Sequence, residues 1–576
     1  MYTMLESGVE AYKTDWNNFA PSIGVAWTTG AEAGFMRKLL GAPGDSVIRG
    51  GYNISYQRGG MSDFTEVYGD NPGILIDATR STGNGNLGTL PLLFAGGGGN
   101  LGPPNIPLTR VYPMAVPSAS SNVRAIDPNI TLPYAGTGTI GIQRKLARNM
   151  SVEARYIRTD SYGSWTLRNL SGALNYNEIG IVENKFIDEF RLAQANLVAN
   201  IAAGKSSSGF AYTGAPGTSP LPIFLANLNG SSAATDPSKY TGSGWTNSTL
   251  VQSMYALNPN PQTAASNLRG NATYRANLVA AGYPANFFVV NPYVNNSTVV
   301  TNGPSTTYNG IQLILNRRYA NGFQVQASYT YSKGFQSDFY SFSKPYVRRE
   351  QNYTNGTASL GNVRHILSVP FVWDLPFGQG KKWGRDVGKA MNLLIGDWSI
   401  FGTVRLQSGR MVDFGNVRLI GFTKDELRDM MTLRMTADPN NPYRTLVWTL
   451  PQDIIDNTVK AYSVSATGYT AGTPEGRFFS PANNASCLET VAGYGDCGAQ
   501  SVIVTGPQVF RTDITIGKRF AIAGPVRGEF QWMIFNLFNN VNFNPVNYIG
   551  STVDSYQITS AVDQSRTMQL AFRILF

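Results

Sequence analysis

The chain has 576 residues, of which 14% are charged and 12% are aromatic, and its formal net charge is +10. The basic residues are scattered in runs no longer than a pair, which argues against a nucleic-acid-binding surface. No stretch approaches the roughly 18 consecutive apolar residues of a membrane helix, so a membrane protein with this sequence would have to be a β-barrel.

Several segments of the sequence alternate between apolar and polar residues, as strands with two different faces do. In "FQVQASYTYS", Phe323, Val325 and Tyr329 occupy one face, and Gln324 and Gln326 occupy the other. The polar faces contain mostly Gln, Ser, Thr, Asn and Arg, which favours a lipid-embedded barrel with an aqueous or plugged lumen over a soluble all-β protein. In chain order, the predicted strands lie near residues 19–27, 47–56, 138–146, 151–159, 307–317, 323–332, 363–373, 397–407, 509–519, 528–537 and 566–576.

The links between these strands alternate in length. Links after the odd-numbered strands are short or moderate, as in "ARNM" and "YANG", and links after the even-numbered strands are long. Outer-membrane barrels have short periplasmic turns and long extracellular loops, so the alternation places Phe576 on the periplasmic side.

Pro370, inside a predicted strand, indicates a bulge or irregular pairing. In each predicted strand, every second residue faces lipid. Aromatic residues at lipid-facing positions near the periplasmic strand ends predict an interfacial girdle, formed by Trp27, Phe323, Trp373, Trp398, Phe520 and Phe576.

The long links are predicted to carry short helices. Between Tyr162 and Ser305, "NEIGIVENKFIDEFRLAQANLVANIAAG" has apolar residues at helical spacing, and Gly204 is placed to end the helix. This helix either packs on its own loop or lies on the membrane surface. "QTAASNLRGNATYRANLVAAGYP" and "LPQDIIDNTVKAYS" predict further loop helices. The predicted apolar face of the first helix contains Val182, Phe186, Phe190, Leu197 and Ile201.

Few residues suit catalysis or metal binding. The single histidine, His365, falls on the lipid-facing parity near an outer strand end, away from the lumen. The adjacent carboxylates Asp188/Glu189 and Asp425/Glu426 occur in helical patterns and are expected on solvated surfaces. "AGGGGNLGPP" lacks the Lys-Ser/Thr ending of a phosphate-binding loop. We therefore expect no enzyme activity, no cofactor and no metal.

The two cysteines, Cys487 and Cys497, lie in one predicted outer loop, in "CLETVAGYGDC". In an oxidising compartment a close pair in a Gly-rich loop predicts a disulfide, with free thiols as the alternative. A zinc site would need more ligands.

Strand parity also selects residues for the lumen. The interior of an outer-membrane barrel is polar, so arginine, glutamine and glutamate on the polar parity are candidates for contact with a passing substrate. The lumen-lining candidates are Arg49, Glu153, Arg155, Gln324, Gln326, Arg405, Gln407, Gln569 and Arg573.

Nine segments resemble, in order, the barrel of Oar-like TonB-dependent outer-membrane receptors. They are "NNFAPSIGVAW", "VIRGGYNISY", "NKFIDEFRLAQANL", "YNGIQLILNRRYANGFQVQASYTYSKG", "WDLPFGQGKKW", "LLIGDWSIFGTVRLQSG", "LPQDIIDNTVKAYS", "VTGPQVFRTDITIGKRF" and "FQWMIFNLFNNVNF". The resemblance implies an all-β, antiparallel transmembrane barrel of about 22 strands, filled by an N-terminal plug and energised through a periplasmic TonB contact. The terminal aromatic, which such receptors share, implies that Phe572, Ile574 and Phe576 form a signal for the barrel-assembly machinery.

The predicted strands number about half of those in such a receptor. We therefore expect residues 1–576 to be the C-terminal portion of the receptor's barrel domain, with the signal peptide, TonB box, plug and N-terminal periplasmic domain lying ahead of Met1. The predicted protein resides in the cell outer membrane, binds an unidentified substrate with its outer loops and passes it through the barrel. Its expected partners are outer-membrane lipid, the TonB complex and the barrel-assembly machinery. A passive porin-like or structural barrel and a soluble all-β adhesin are the alternatives.

Overall fold

An antiparallel sheet of eleven consecutive strands is the largest element of the computed structural model, with the short strand Asn352–Thr354 paired beside the sixth. The strands follow one another in the same order along the chain and across the sheet. The structure describes residues 12–57, 71, 122–165, 174–177, 179–255, 259–303, 305–338, 352–354, 363–465, 468–481, 483, 488–491, 494–495, 501–546, 549–559 and 561–576. The strands are β1 (Ser22–Thr29), β2 (Ser46–Tyr56), β3 (Tyr134–Ala147), β4 (Met150–Tyr162), β5 (Thr306–Ala320), β6 (Phe323–Asp338), β7 (His365–Asp374), β8 (Trp398–Gln407), β9 (Val509–Ala523), β10 (Val526–Phe535) and β11 (Thr567–Leu575).

Each of these strands overlaps one of the eleven predicted segments, so the predicted strands are confirmed. Helices occur only in the connections of the described chain, and none of them is both long and apolar enough to span a membrane. The helices are α1 (Gly34–Leu40), α2 (Phe186–Ala202), α3 (Pro222–Asn229), α4 (Ser248–Ser253), α5 (Pro261–Gly270), α6 (Ala272–Ala280), α7 (Lys389–Ile395), α8 (Lys424–Met430) and α9 (Gln452–Tyr462).

The connections alternate in length as predicted. Tight turns follow β3, β5 and β9, and moderate links with α1 and α7 follow β1 and β7. Between β5 and β6, Asn321 and Gly322 both have positive φ, 54° and 76°, as a two-residue hairpin turn requires. The long connections are residues 57–133, 163–305, 339–364, 408–508 and 536–566. Because the strands are antiparallel, all the long connections leave the same end of the sheet, which we call the loop end.

Pro370 interrupts the pairing on one side of β7 only. Opposite β8, Pro370 stays in register with Thr403. Opposite β6, the pairing lapses between Ser368 and Phe371 without a change of register. The expected irregularity is therefore a gap in one ladder, which fits the missing N–H of proline.

The two outermost strands of the sheet are β1 and β11. Among the described residues, β1 pairs only with β2, and β11 pairs only with β10. The described sheet is thus open, and closure into a barrel of about 22 strands stays a prediction.

Two of the long connections contain folded bodies with their own cores. In the first, which we call loop body 1 (residues 179–289), α2 buries Phe186, Phe190 and Leu197 against α3 and α5. The helix begins at Phe186 rather than before it, so Val182 lies outside it and is exposed, and Ile201 is exposed as well. The predicted apolar face is therefore correct in its middle and wrong at its ends. Gly204 follows the helix with a φ of 70°.

The second body, loop body 2 (residues 411–504), combines short strands with α8 and α9. Its central strand Met411–Ile420 pairs with Phe478–Pro481 and Ser501–Thr505, and α9 packs against this sheet. A hairpin, Arg434–Asp438 with Asn441–Trp448, completes the core. The two bodies touch: Leu488 is buried in the core of loop body 1, and the rings of Tyr255 and Tyr469 meet edge to face at 5.7 Å. The remaining short strands are Val123–Ile126, Leu174–Asn175, Ser297–Val300, Val464–Ser465, Gly468–Tyr469, Glu489–Val491 and Tyr494–Gly495.

Candidate functional site

The register of the sheet brings the predicted lumen-lining residues to one face. Residues directly opposite each other in an antiparallel sheet lie on the same face. Arg49 lies opposite Gly141, which lies opposite Arg155, and the row continues across four more strands to Gln407. We call this face the polar face. Followed through the remaining strands, the same pairing places all nine candidates on it: Arg49, Glu153, Arg155, Gln324, Gln326, Arg405, Gln407, Gln569 and Arg573.

A small cavity of about 200 Å³ opens on the polar face between β2 and β4. Arg49, Glu153 and Arg155 line it. Gly141 lies between the two arginines in the register of the sheet and lines the cavity with them. A side chain there would also crowd the strand, since an added Cβ would come within 3.0 Å of the Ala154 carbonyl oxygen.

The charged groups of this cavity are only partly paired with each other. The Nε atom of Arg155 donates to Oε1 of Glu153 at 3.1 Å, and the Glu153 side chain is the more buried of the two. Arg49 is exposed and has no hydrogen-bond or ion-pair partner among the described residues. Guanidinium groups bind carboxylates and phosphates through two parallel N–H donors. At this cavity the Arg49 guanidinium can therefore bind an anionic group, whereas that of Arg155 is paired with Glu153.

A second polar cluster occupies the same face on β8, β9 and β10. Arg511 lies opposite Arg405, and it donates to Asp513 at 3.0 Å and to Asp563 at 3.1 Å. Facing arginines would repel each other without such partners. The Nε atom of Arg405 donates to Oε1 of Gln407 at 3.1 Å. Both arginines therefore have polar partners on the polar face.

The candidates selected from the sequence did not include Arg511, Asp513, Arg519 or Glu529, although all four lie on the polar face. The signal was present in "VFRTDITIGKRF", where Arg511, Asp513 and Arg519 follow the period of two. The Arg511 contact with Asp563 could not be read from that period, because Asp563 belongs to a connection and not to a strand.

The opposite face, which we call the apolar face, is aliphatic in its middle. Ile140, Leu313 and Leu570 lie on it and are 58%, 43% and 67% exposed. Exposed aliphatic side chains over several strands are typical of a surface that contacts lipid.

Aromatic residues lie at both ends of the apolar face. At the loop end, the ring of Tyr134 packs between those of Tyr56 and Tyr162, at 5.8 and 5.3 Å. The predicted girdle residues lie at the other end, where Phe323 is directly opposite Trp373. On β6, Phe323 and Tyr331 are separated by about 27 Å along the strand, or about 20 Å across a membrane for a strand tilted by about 40°. This spacing is close to the apolar band of an outer-membrane barrel, about 25 Å tall.

His365 belongs to the aromatic row at the loop end. Its Nδ1 atom is 2.8 Å from the hydroxyl of Tyr329, and its ring lies 5.1 Å from that of Tyr331. Within the described ranges, no three His, Cys, Asp or Glu side chains cluster as metal ligands do.

The last strand presents the predicted assembly residues on the apolar face. Phe572 lies opposite Phe530 and its ring is 6.1 Å from that of Phe520, whereas Ile574 lies opposite Gly528. Phe572, Ile574 and Phe576 are 58%, 48% and 96% exposed. Their role in assembly stays a prediction.

Cys487 and Cys497 lie outside the described residues. Between them in sequence, Glu489–Val491 and Tyr494–Gly495 form a short antiparallel hairpin, with Glu489 opposite Gly495. The disulfide, which would close this hairpin, stays a prediction.

Loop body 1 contains a buried carboxylate, that of Glu189. Glu189 is 6% exposed, so the prediction that it lies on a solvated surface is wrong. It is buried because this turn of α2 faces α3. Oε2 accepts from the backbone N–H of Ile223 at 2.9 Å and Oε1 from that of Phe224 at 2.8 Å, at the N-terminus of α3. Burial raises the pKa of Glu189 to about 7, against the opposing effect of the two N–H donors.

We expect the stability of loop body 1 to fall as the pH rises from 5 to 8. The folded-state pKa of Glu189 lies above its ordinary value of 4.5, so the folded body binds more protons than the unfolded chain between these two values. The stabilisation by this proton is complete below pH 4.5 and is lost as the pH rises through 7, a change of about 3 kcal/mol.

Hydrogen exchange of the α2 and α3 peptides, corrected for the intrinsic pH dependence of exchange, measures this change. Glu189→Gln should remove the dependence, because the amide does not titrate. A wild-type stability that stays level or rises from pH 5 to pH 8 would contradict the raised pKa.

Comparison with known proteins gives one family and several solved structures that match at low identity and low TM-score. A family model described as an outer membrane beta barrel domain matches residues 6–569. A sequence search of curated proteins finds no match. One similar structure is the ferripyoverdine receptor of the outer membrane of Pseudomonas aeruginosa, with 8% identity over 96% of this chain and 33% of that chain and a TM-score of 0.33.

Two further structures are the outer membrane transporter YddB from Escherichia coli and the siderophore receptor PirA from Acinetobacter baumannii. The first has 8% identity over 92% of this chain and 38% of that chain, with a TM-score of 0.30. The second has 8% identity over 96% of this chain and 40% of that chain, with a TM-score of 0.33. The chain therefore covers 33% to 40% of the length of these three proteins.

Proposed function

Because the chain belongs to the outer membrane beta barrel domain family and is a protein of the cell outer membrane, we propose that it is barrel sequence of a TonB-dependent receptor or transporter. The receptor binds a substrate with the bodies at the loop end and passes it along the polar face. The observation that carries the proposal is the two-sided sheet, with lipid-compatible residues on one face and hydrogen-bonding residues on the other.

The charges of the polar face support passage of anionic or neutral solutes. On the described strands this face carries more arginines than carboxylates, among them Arg49, Arg155, Arg405 and Arg573. An excess of one sign of charge along a pathway concentrates solutes of the opposite sign. We propose transport and binding for this chain, and no catalysis.

The folded bodies at the loop end support a receptor rather than a passive porin. Loop body 1 buries whole side chains, with Phe186 and Trp245 at 0% and 2% exposed. Such bodies can hold a binding surface in a fixed shape, which diffusion through an open pore does not need.

The remaining parts of the proposal rest on the resemblance of the nine segments to Oar-like receptors. They are a plug, a TonB contact, a complete barrel of about 22 strands, and an Oar-like subtype.

Conductance of the complete gene product in planar bilayers tests the proposal. The intact protein should carry no steady current, because a plug fills the lumen, and deletion of the plug region should open an anion-selective pore. Arg49→Glu with Arg155→Glu should shift that pore toward cations, and Lys239→Glu in loop body 1 serves as the control. A steady current through the intact protein would refute the transporter and support the porin.

We also expect removal of Phe576 from the complete protein to reduce its insertion into the outer membrane several-fold. The exposed terminal aromatic and the apolar parity of β11 present the chain end that the assembly machinery would read. Heat-modifiable protein in outer-membrane fractions measures insertion, with Arg573→Ala on the polar parity of β11 as the control. Equal insertion with and without Phe576 would contradict a role for this residue in assembly and would leave it a role in packing only.

A further inference from the structure

A groove of about 540 Å³ lies on the surface of loop body 1, between the start of α4 and the α5–α6 pair. Thr263, Ser266, Asn267 and Gly270 line it from α5. These residues are spaced as i, i+3, i+4 and i+7, so they form one stripe along the helix. The groove is shallow and open to solvent along most of its extent.

The core of loop body 1 holds this stripe in place. The other side of α5 buries Ala264, Ala265 and Leu268, each with no exposed surface. Asn260 caps the helix, its side chain accepting from the N–H of Thr263 at 3.0 Å. The groove is therefore part of a packed helix and not of a bare loop.

Two asparagines at the ends of the groove present amide donors to it. Oδ1 of Asn247 accepts from the N–H of Leu250 at 3.1 Å, and Oδ1 of Asn271 accepts from the N–H of Thr273 at 2.9 Å. Each oxygen thus caps a helix, and the NH₂ group of each side chain is left to donate to a ligand. Among the described residues, the side chain of Asn267 has no hydrogen-bond partner.

The lining is wholly uncharged. It consists of asparagine, threonine, serine and glycine with one aromatic residue, Tyr274. A site for phosphate or carboxylate would be expected to include arginine or lysine. Sugar hydroxyls both donate and accept, as the asparagine amides and the Ser, Thr and Tyr hydroxyls of this groove can.

From this chemistry we propose that the groove is a binding site for a neutral oligosaccharide. Asn267 and the NH₂ groups of Asn247 and Asn271 bond to sugar hydroxyls in the groove, which Tyr274 also lines. The site belongs to loop body 1 alone, so it holds whether or not the barrel transports a solute.

Saturation-transfer NMR on the complete protein in detergent tests the proposal. The probes are maltohexaose, cellohexaose and mannohexaose, with hexagalacturonate as the anionic probe. At least one neutral probe should bind. Asn267→Ala should weaken that binding at least fivefold, and Ser266→Arg, at an exposed position, should abolish it by filling the groove.

Gln252→Arg provides the matched control, because Gln252 is exposed on α4 but does not line the groove. Binding to this variant should equal that of the wild type, and an unchanged unfolding midpoint of Ser266→Arg shows that its fold is intact. The proposal is overturned if no neutral probe binds, if binding survives Ser266→Arg, or if hexagalacturonate alone binds.

Discussion

Arginine in place of Leu315 should lower the free energy of unfolding in a lipid bilayer by about 2–4 kcal/mol, whereas arginine in place of Asn316 should change it by less than about 1 kcal/mol. Leu315 lies on the apolar face, opposite Val152 and Ala327. Ala327 is midway between Phe323 and Tyr331, so the new charge would lie near the centre of the bilayer. Asn316 is the next residue of β5 and lies on the polar face, opposite Ser151 and Gln326.

Urea titration of the complete protein in vesicles, followed by tryptophan fluorescence, measures both variants. Both variants introduce arginine, and the two positions are adjacent in β5. The difference between their free energies of unfolding therefore depends on which face of the sheet carries the arginine. Equal losses at the two positions would contradict the assignment of the apolar face to lipid.

The 576-residue chain expressed by itself should form no stable monomeric pore. The free edges of β1 and β11 would expose backbone N–H and C=O groups to hydrocarbon, at several kcal/mol for each group. The edges also cannot close the sheet in the antiparallel manner, because β1 and β11 of an eleven-stranded antiparallel sheet run in the same direction. The apolar side chains of β1 are already exposed at this edge, with Ile23 at 69% and Val25 at 67%.

Heat-modifiability and single-channel conductance of the purified chain in detergent measure this outcome. We expect aggregated protein or an open sheet, with no discrete channel steps. A monomer whose electrophoretic mobility changes on heating and which conducts in uniform steps would show that these eleven strands form a closed barrel by themselves.

The strands were predictable because lipid on one side and water on the other impose a period of two that local sequence carries. Asn321-Gly322 fixed one hairpin in the same local way. The polar-face candidates also followed from that period. The pairing of the strands places the same alternate residues on one face of the sheet. The cavity beside Arg49 did not follow, because it depends on Gly141 from a neighbouring strand.

The loop bodies were less accessible to sequence reasoning. The pair Asp188/Glu189 has a helical pattern, but the burial of Glu189 depends on the N-terminus of α3, more than thirty residues further along the chain. Likewise, the strand Met411–Ile420 pairs with segments far away in sequence, so its extended conformation depends on tertiary contacts. Tertiary packing overrides local propensity in such bodies.

Spin-label accessibility along β5 tests the central claim most directly. In the complete protein, with Cys487 and Cys497 replaced by serine, single labels at positions 311 to 316 are exposed to oxygen, which concentrates in lipid, and to a water-soluble nickel complex. Labels at 311, 313 and 315 should respond to oxygen, and labels at 312, 314 and 316 should respond to nickel, which is a period of two. Equal responses along the strand, or the opposite phase, would contradict an outer-membrane barrel with this polar face toward its lumen.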